Sequence, residues 1–251
     1  PLYMTTDNAV TLTRHHNTNG EVAVTNKVNG LPVTSIGRAA FQNCGQITGI
    51  TFPDTLTSIG PEAFKNCTAL TRVTIPASVT RIDESAFWEC PALESIQVSV
   101  LNPVYSSSAD GVLFNAEKTR LIRYPQAKGG SYAIPNRVAE IGGWAFRDCV
   151  NLTGVTMPDG LTAIDGGAFW NCSNLGSLAI PASVTRIDAW GFSGCSRLDT
   201  VSVDEANPAF CNGEDGVVLN KEKTKLVRYP SGRRGDYSTP ASVKEIGGGA
   251  F

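Results

Sequence analysis

Histidine is nearly missing from this chain: two in 251 residues, adjacent at His15 and His16, with no acidic or cysteine partner at ligand spacing. No His-Glu-x-x-His, no Gly-x-Ser-x-Gly and no phosphate-cradling loop ending in Lys-Ser/Thr occurs, so metalloprotease, serine hydrolase and nucleotide chemistry lose their usual residues. Asp110-Gly111 and Asp215-Gly216 lack the alternating oxygen ligands of a calcium loop and read as turns into a strand. No apolar run approaches the roughly 18 residues that cross a bilayer. No signal peptide is legible, and Pro1-Leu2-Tyr3-Met4 reads as a cut edge or a mature N-terminus, with Gly249-Ala250-Phe251 the middle of a motif. We therefore expect no enzyme, no cofactor and no metal, in a fragment of a longer protein.

Strong helix formers are also sparse, whereas Gly (25), Pro (14), Thr, Val, Ile and Ser are plentiful. That mixture favours short strands and tight corners. The chain is 41% apolar and 18% charged, enough to bury a core.

Self-similarity settles how that core is organised. The phrase Ile59-Gly60-Pro61-Glu62-Ala63-Phe64-Lys65-Asn66-Cys67 returns as Ile164-Asp165-Gly166-Gly167-Ala168-Phe169-Trp170-Asn171-Cys172, and related copies begin at Ile36, Ile82, Ile141 and Ile187, with a truncated one at Ile246. Each continues into an apolar-x-apolar-Pro strand such as Val73-Thr74-Ile75-Pro76. The positions of Pro53, Pro76, Ser99, Pro135, Pro158, Pro181, Asp204 and Pro240 give steps of 23, 23, 36, 23, 23, 23 and 36 residues. A unit so small cannot bury its own apolar face, so the copies must stack. Val73 and Ile75 point inward and Thr74 outward, Pro76 ends the strand, and Ile82 and Phe87 close the core, with Gly-x-x-Ala-Phe forming a helical turn. At about 4.8 Å per rung, roughly nine rungs span about 40 Å. Residues 1–35 read as an entry cap, with Ala9–Thr13 and Glu21–Thr25 alternating like a hairpin, and 36–251 as the repeat array.

The six full phrases, together with Asn102-Pro103-Val104-Tyr105, Asp110-Gly111-Val112-Leu113-Phe114-Asn115 and Leu121-Ile122-Arg123-Tyr124-Pro125 in the long copies, resemble the BspA-like leucine-rich-repeat family of bacterial surface proteins. The resemblance runs from about Val22 to the end. It implies an α/β leucine-rich-repeat solenoid: parallel strands on one face, short helical turns and loops on the other, and two β-hairpin insertions. It also implies a secreted or surface-exposed adhesin or interaction module, extracellular and monomeric, with a protein or glycan partner and no catalytic site to carry over.

Cys44, Cys67, Cys90, Cys149, Cys172 and Cys195 share one repeat position and form a ladder. Buried thiols acting as small hydrophobes are expected there, with disulfides between adjacent rungs as the alternative. Cys211 stands apart, where the earlier long copy has Ser106. Asn66-Cys67-Thr68, Asn151-Leu152-Thr153 and Asn171-Cys172-Ser173 match a glycosylation pattern that repeat grammar alone generates.

Three surfaces compete as a binding site. Trp88 and Trp170 directly follow the core Phe, and Trp144 and Trp190 precede it by two, at positions where other copies carry Gln42, Lys65, Ala39 or Glu62. Such tolerance argues for partial exposure, either as a hot spot or sugar platform or as lateral packing between rungs. The second surface is the pair of insertions, expected to be hairpins turning through Asn115–Lys118 and Asn220–Lys223. Windows 116–130 and 220–235 hold 10 of the 21 basic residues and two acids, net +3 and +5, against −10 elsewhere. Lys118, Arg120, Arg123, Lys128, Lys221, Lys223, Lys225, Arg228, Arg233 and Arg234 are the candidates for an anionic partner, recurring about every 19 Å, or else they protect exposed hairpin edges. No aromatic alternation accompanies the charge, which argues against nucleic acid. The third surface, the outward strand positions Thr51, Thr74, Gln97, Thr156, Ala179 and Ser202, is chemically plain. A binding module and a structural spacer displaying another domain are the two functions left.

Overall fold

In the computed structural model, which describes residues 2–6, 8–14, 19–233 and 236–251, the 23-residue metre becomes stacked rungs. Two compact units result: Pro1–Glu117 with Tyr124–Ala127, and Lys118–Arg123 with Lys128–Phe251. His15, His16 and Arg234 lie outside the described residues.

Each rung of the first unit carries one long and one short strand. The long strands Gly20–Ala23, Ile47–Thr51, Arg72–Ile75 and Ser95–Val98 pair in parallel, and Ile50, Val73 and Ile96 stand side by side in register. Val73 and Ile75 are fully buried while Thr74 is exposed, the period of two expected of a half-covered sheet. Pro76 donates nothing to the ladder; instead its carbonyl accepts from Val79 N–H at 3.4 Å and turns the chain. The short strands Ser58–Ile59 and Arg81–Ile82 follow Leu31–Ile36 and Ala9–Arg14 in a second parallel ladder.

The entry segment differs from the expected hairpin. Ala9–Arg14 pairs antiparallel with Leu2–Thr6, and Gly20–Ala23 instead opens the long-strand ladder. Val10 and Leu12 are buried, and the parallel partner Leu31–Ile36 sets the buried Val33 and Ile36 beside them, so the apolar stripe of Ala9–Arg14 is covered by the short-strand ladder and not by Gly20–Ala23.

The second unit repeats the plan. Gly130–Ala133, Leu152–Thr156, Ser177–Ile180 and Thr200–Val203 form the long-strand ladder. Arg120–Arg123, Glu140–Ile141, Ala163–Ile164 and Arg186–Ile187 form the short one. The second insertion is an antiparallel array of Phe210–Asn212, Val218–Asn220 and Lys225–Arg228, and the last of these pairs in parallel with Glu245–Ile246.

The helical turns expected at Gly-x-x-Ala-Phe are absent: among the described residues the only helix is a 3-10 turn at Glu214–Gly216. The α/β expectation is therefore corrected to a β-solenoid. The backbone shows why. Five of the six full phrases contain two left-handed residues four apart, among them Ala39 and Asn43, Glu62 and Asn66, and Trp144 and Asp148, with φ between 55° and 63° in these three pairs; the phrase from Ile82 has one, Glu89. A left-handed residue in every turn stops a helix from propagating. The N–H groups of Ala39, Phe41 and Asn43 instead reach the next rung, donating to the carbonyls of Pro61, Ala63 and Lys65 at 2.9, 2.7 and 2.9 Å. These inter-rung bonds offset the strain, and side chains reinforce them: Asn66 Nδ2 donates to Asn43 Oδ1 at 2.9 Å and Asn171 Nδ2 to Asp148 Oδ1 at 2.8 Å.

Behind the turns runs a stack of phenylalanines. Phe41, Phe64 and Phe87 lie near-parallel with centroids 5.0 and 5.5 Å apart, and Phe146, Phe169 and Phe192 repeat this at 4.8 and 5.7 Å. Cysteine fills the gap beside each ring as a free thiol. Cys67, Cys90, Cys172 and Cys195 donate through Sγ to the phenylalanine carbonyl of the preceding rung, at 3.0–3.1 Å. Burial pushes the Cys149 thiol up to about 12 and raises Cys67 and Cys172 well above the ordinary range.

Candidate functional site

The tryptophans of the second unit meet. Trp144 and Trp170 are half-buried and stand edge to face with centroids 5.7 Å apart; Trp170 and Trp190 follow at 6.2 Å, tilted by 54°. Trp144 and Trp190 are themselves left-handed residues, with φ of 58° and 65°. That conformation swings their rings over the next rung, where the matching residue is glycine: Trp144 covers Gly167 and Trp190 covers Gly249. Arg147 lies over the Trp144 ring, 5.4 Å from its centroid. The result is one indole strip along three rungs, ending at Trp190, which is 51% exposed. Lateral packing and exposure thus coexist in it. Trp88 is half-buried in the other unit.

The basic residues fare differently. Arg123 and Arg228 are only 4% and 1% exposed and are not surface cations. Each reaches under the turn ladder to a backbone carbonyl, Arg123 Nη1 to Trp144 O at 2.9 Å and Arg228 Nη1 to Gly249 O at 2.6 Å. Leu121 and Leu226, two residues earlier on the same strand face, are fully buried too, while the alternate positions Arg120, Ile122, Lys225 and Val227 are half-buried. Burial lowers the Arg228 pKa. Arg120 bridges Glu140 at 2.6 Å and Asp165 at 2.5 Å, Asp165 also binds Arg186 at 2.7 Å, and Arg186 binds Asp188 at 2.6 Å. Burial works against the charge on Arg120, yet the two carboxylates outweigh it and hold the pKa above its ordinary value.

Lys225 pairs with Glu245 at 2.5 Å, and Lys221 Nζ donates to Asn207 O at 2.6 Å. Lys128 is half-buried and Arg233 exposed. Lys118 and Lys223 are exposed at left-handed turn positions, φ 57° and 56°. Much of the charge read in the sequence as a basic surface is therefore matched by acids or spent on carbonyls within the fold.

A buried asparagine anchors each insertion. Asn102 Nδ2 donates to the carbonyls of Pro76 and Val79 while its Oδ1 accepts from Val104 and Tyr105 N–H. Asn207 does the same with Pro181, Val184, Ala209 and Phe210, all at 2.8–2.9 Å. The outward long-strand residues Thr51, Thr74, Gln97, Thr156, Ala179 and Ser202 are all exposed.

One feature of the site was not anticipated. Beside the second insertion lies a cleft of about 240 Å³, lined by Thr185–Ala189, Phe210, Asn220, Lys225, Val227 and Gly247–Gly248. Its sequence signal is a single difference between the long copies, Phe210 where the earlier copy has Tyr105. Among the described residues no group of three His, Cys, Asp or Glu is placed to hold a metal, and no helix is long and apolar enough to cross a membrane.

This stack of rungs with a cysteine-capped phenylalanine core is that of a leucine-rich-repeat protein. The BspA type leucine rich repeat region matches in six copies over residues 30–110 and 124–212, and the chain belongs to that family. It is similar to a leucine-rich repeat protein from Eubacterium ventriosum, with 24% identity over 97% of this chain and 81% of the other, TM-score 0.59. It is also similar to a leucine rich cell surface protein from Faecalibacterium prausnitzii, with 28% identity over 100% and 74%, TM-score 0.57. The pneumococcal vaccine antigen PcpA shares the fold at 16% identity over 97% and 90%, TM-score 0.50. No curated protein matches the chain.

Proposed function

We propose that this chain is a non-enzymatic binding module of a secreted or cell-surface protein, adhesin-like, which holds an extracellular protein or glycan against its indole strip. The observation that carries this reading is the run Trp144–Trp170–Trp190, whose rings follow one another at 5.7 and 6.2 Å with Trp190 open to solvent. Rungs elsewhere place Ala39 or Glu62 where Trp144 and Trp190 stand, so the core does not demand an indole there. Rigid aromatic surface contributes contact area at small entropic cost, which is why it recurs in binding hot spots. Family membership and the surface location stated for the Faecalibacterium relative support display outside the cell. Lys118 and Lys223 would add an attraction for anionic partners that weakens with salt.

The alternative is a spacer that displays another domain, and the six plain outward strand residues favour it. An array of extracellular proteins and glycans, probed at two salt concentrations, separates the readings. Binding lost in Trp170→Ala and Trp190→Ala supports the strip. Binding lost in Lys118→Ser with Lys223→Ser, and only at low salt, moves the site to the insertion tips. Absence of binding to every array member supports the spacer.

A further inference from the structure

In the second unit a short strand inside the ladder, such as Ala163–Ile164, is bonded on both edges. Ala163 and Asp165 N–H donate to the carbonyls of Ala139 and Ile141, at 3.3 and 3.0 Å, and Arg186 and Asp188 donate in turn to Thr162 and Ile164, at 3.2 and 2.9 Å. Parallel pairing alternates direction along a strand, so the Ile187 N–H and the Thr185 and Ile187 carbonyls point the other way, toward a following rung. That rung is the long one, and its insertion does not continue the ladder. Among the described residues Arg186–Ile187 is the last strand of its sheet, and no group donates to Thr185 O or Ile187 O.

The first unit meets the same interruption with a side chain. Ile82 N–H donates to Tyr105 Oη at 2.9 Å. Phe210 stands 23 residues after Ile187, as Tyr105 stands 23 after Ile82, but it has no hydroxyl to offer. The Ile187 amide is left facing the 240 Å³ cleft, which has the nearly buried Phe210 ring among its lining residues.

We propose that this slot binds a short extended peptide as an added parallel strand. Its carbonyl would accept from Ile187 N–H, and two of its N–H groups would donate to Thr185 O and Ile187 O, as Arg186 and Asp188 donate to Thr162 and Ile164. The order acceptor, donor, acceptor along one strand edge is the complement of an extended main chain, the basis of strand addition. An apolar peptide side chain covers Phe210. The flanking charges are matched within the fold, Arg186 by Asp165 and Asp188 and Lys225 by Glu245, so main-chain bonding and this apolar contact, not net charge, select the ligand. No indole lines the slot, which adjoins the end of the strip where Trp190 packs on Gly248.

Phe210→Tyr restores the hydroxyl of the other long rung and leaves the rest of the slot in place, so it blocks the site without removing a core side chain. The test is selection of a phage-displayed octapeptide library on the wild-type chain, followed by titration of enriched peptides against both forms. Enriched peptides that lose at least tenfold in affinity against Phe210→Tyr, and that slow hydrogen exchange at the Ile187 amide, are the expected result. Peptides that bind both forms equally, peptides that leave the Ile187 amide unprotected, or a library that enriches nothing would overturn the proposal. So would a glycan that binds the slot and is excluded by Phe210→Tyr while no peptide does. Repeating the titration on Trp170→Ala, in the middle of the strip and not among the slot's lining residues, keeps the two sites apart: peptide binding persists there if the slot is real and is lost if the strip held the peptide.

Discussion

The indole of Trp144 rests on Gly167 so closely that a β-carbon on that glycine would fall inside the ring's contact distance. Trp190 and Gly249 repeat the arrangement, with Cε3 2.8 Å from the β-carbon position. Both glycines are left-handed, φ 64° and 67°, so space and backbone conformation exclude a side chain together.

Gly167→Ala is therefore expected to destabilise the chain by about 2 kcal/mol or more, read as a lowered urea midpoint, with displaced Trp144 fluorescence. Gly176→Ala is the control. Nothing lies within 4 Å of its β-carbon position and its φ is ordinary, so stability should stay within about 1 kcal/mol of the parent.

The thiol ladder predicts alkaline sensitivity. Burial raises Cys149 from 9.0 to about 12 and raises Cys67 and Cys172 as well, so the folded state keeps protons that the unfolded state releases. The stabilisation is complete below pH 9 and is lost as pH climbs from 9 toward 12. Urea midpoints measured from pH 7.5 to 10.5 should fall, and a Cys149→Ala variant should fall less steeply over the same range. A slope unchanged by the substitution would remove the thiol from the explanation.

Asn102 and Asn207 each satisfy two carbonyls and two amides with one side chain in a buried site. Asn207→Leu leaves the Pro181 and Val184 carbonyls and the Ala209 and Phe210 amides without it, at a cost of about 2–5 kcal/mol. Circular dichroism melts should show an early transition, since the anchor of the long rung is lost while the regular rungs keep theirs.

Arg228 and Lys223 are five residues apart and should behave in opposite ways. Arg228→Ser removes a buried donor from Gly249 O and should lower the melting temperature by several degrees. Lys223→Ser removes an exposed turn cation and should leave stability within about 0.5 kcal/mol, so a change in binding there would report on contact and not on folding.

The sequence by itself determined the repeat, its 23- and 36-residue steps, the inward alternation of Val73 and Ile75 and the ladder of small cysteines. Each follows from a period that stacking must respect and from which residues can be buried. Tertiary structure decided the rest. Gly-x-x-Ala-Phe looks helical by composition, but it is a turn because its amides bond to the next rung, a partner invisible within one copy. Arg123 and Arg228 look like surface charge, yet each sits on the buried face of its strand, beside Leu121 or Leu226, and a carbonyl lies within reach of each. The three tryptophans are scattered along the chain, and only stacking brings them into one strip. The Tyr105 to Phe210 difference was legible all along, but it acquires meaning only when the Ile82 amide is seen to need that hydroxyl and the Ile187 amide to lack it. Local sequence fixes which groups a rung carries; which of them are left to bind something else depends on what the neighbouring rung returns.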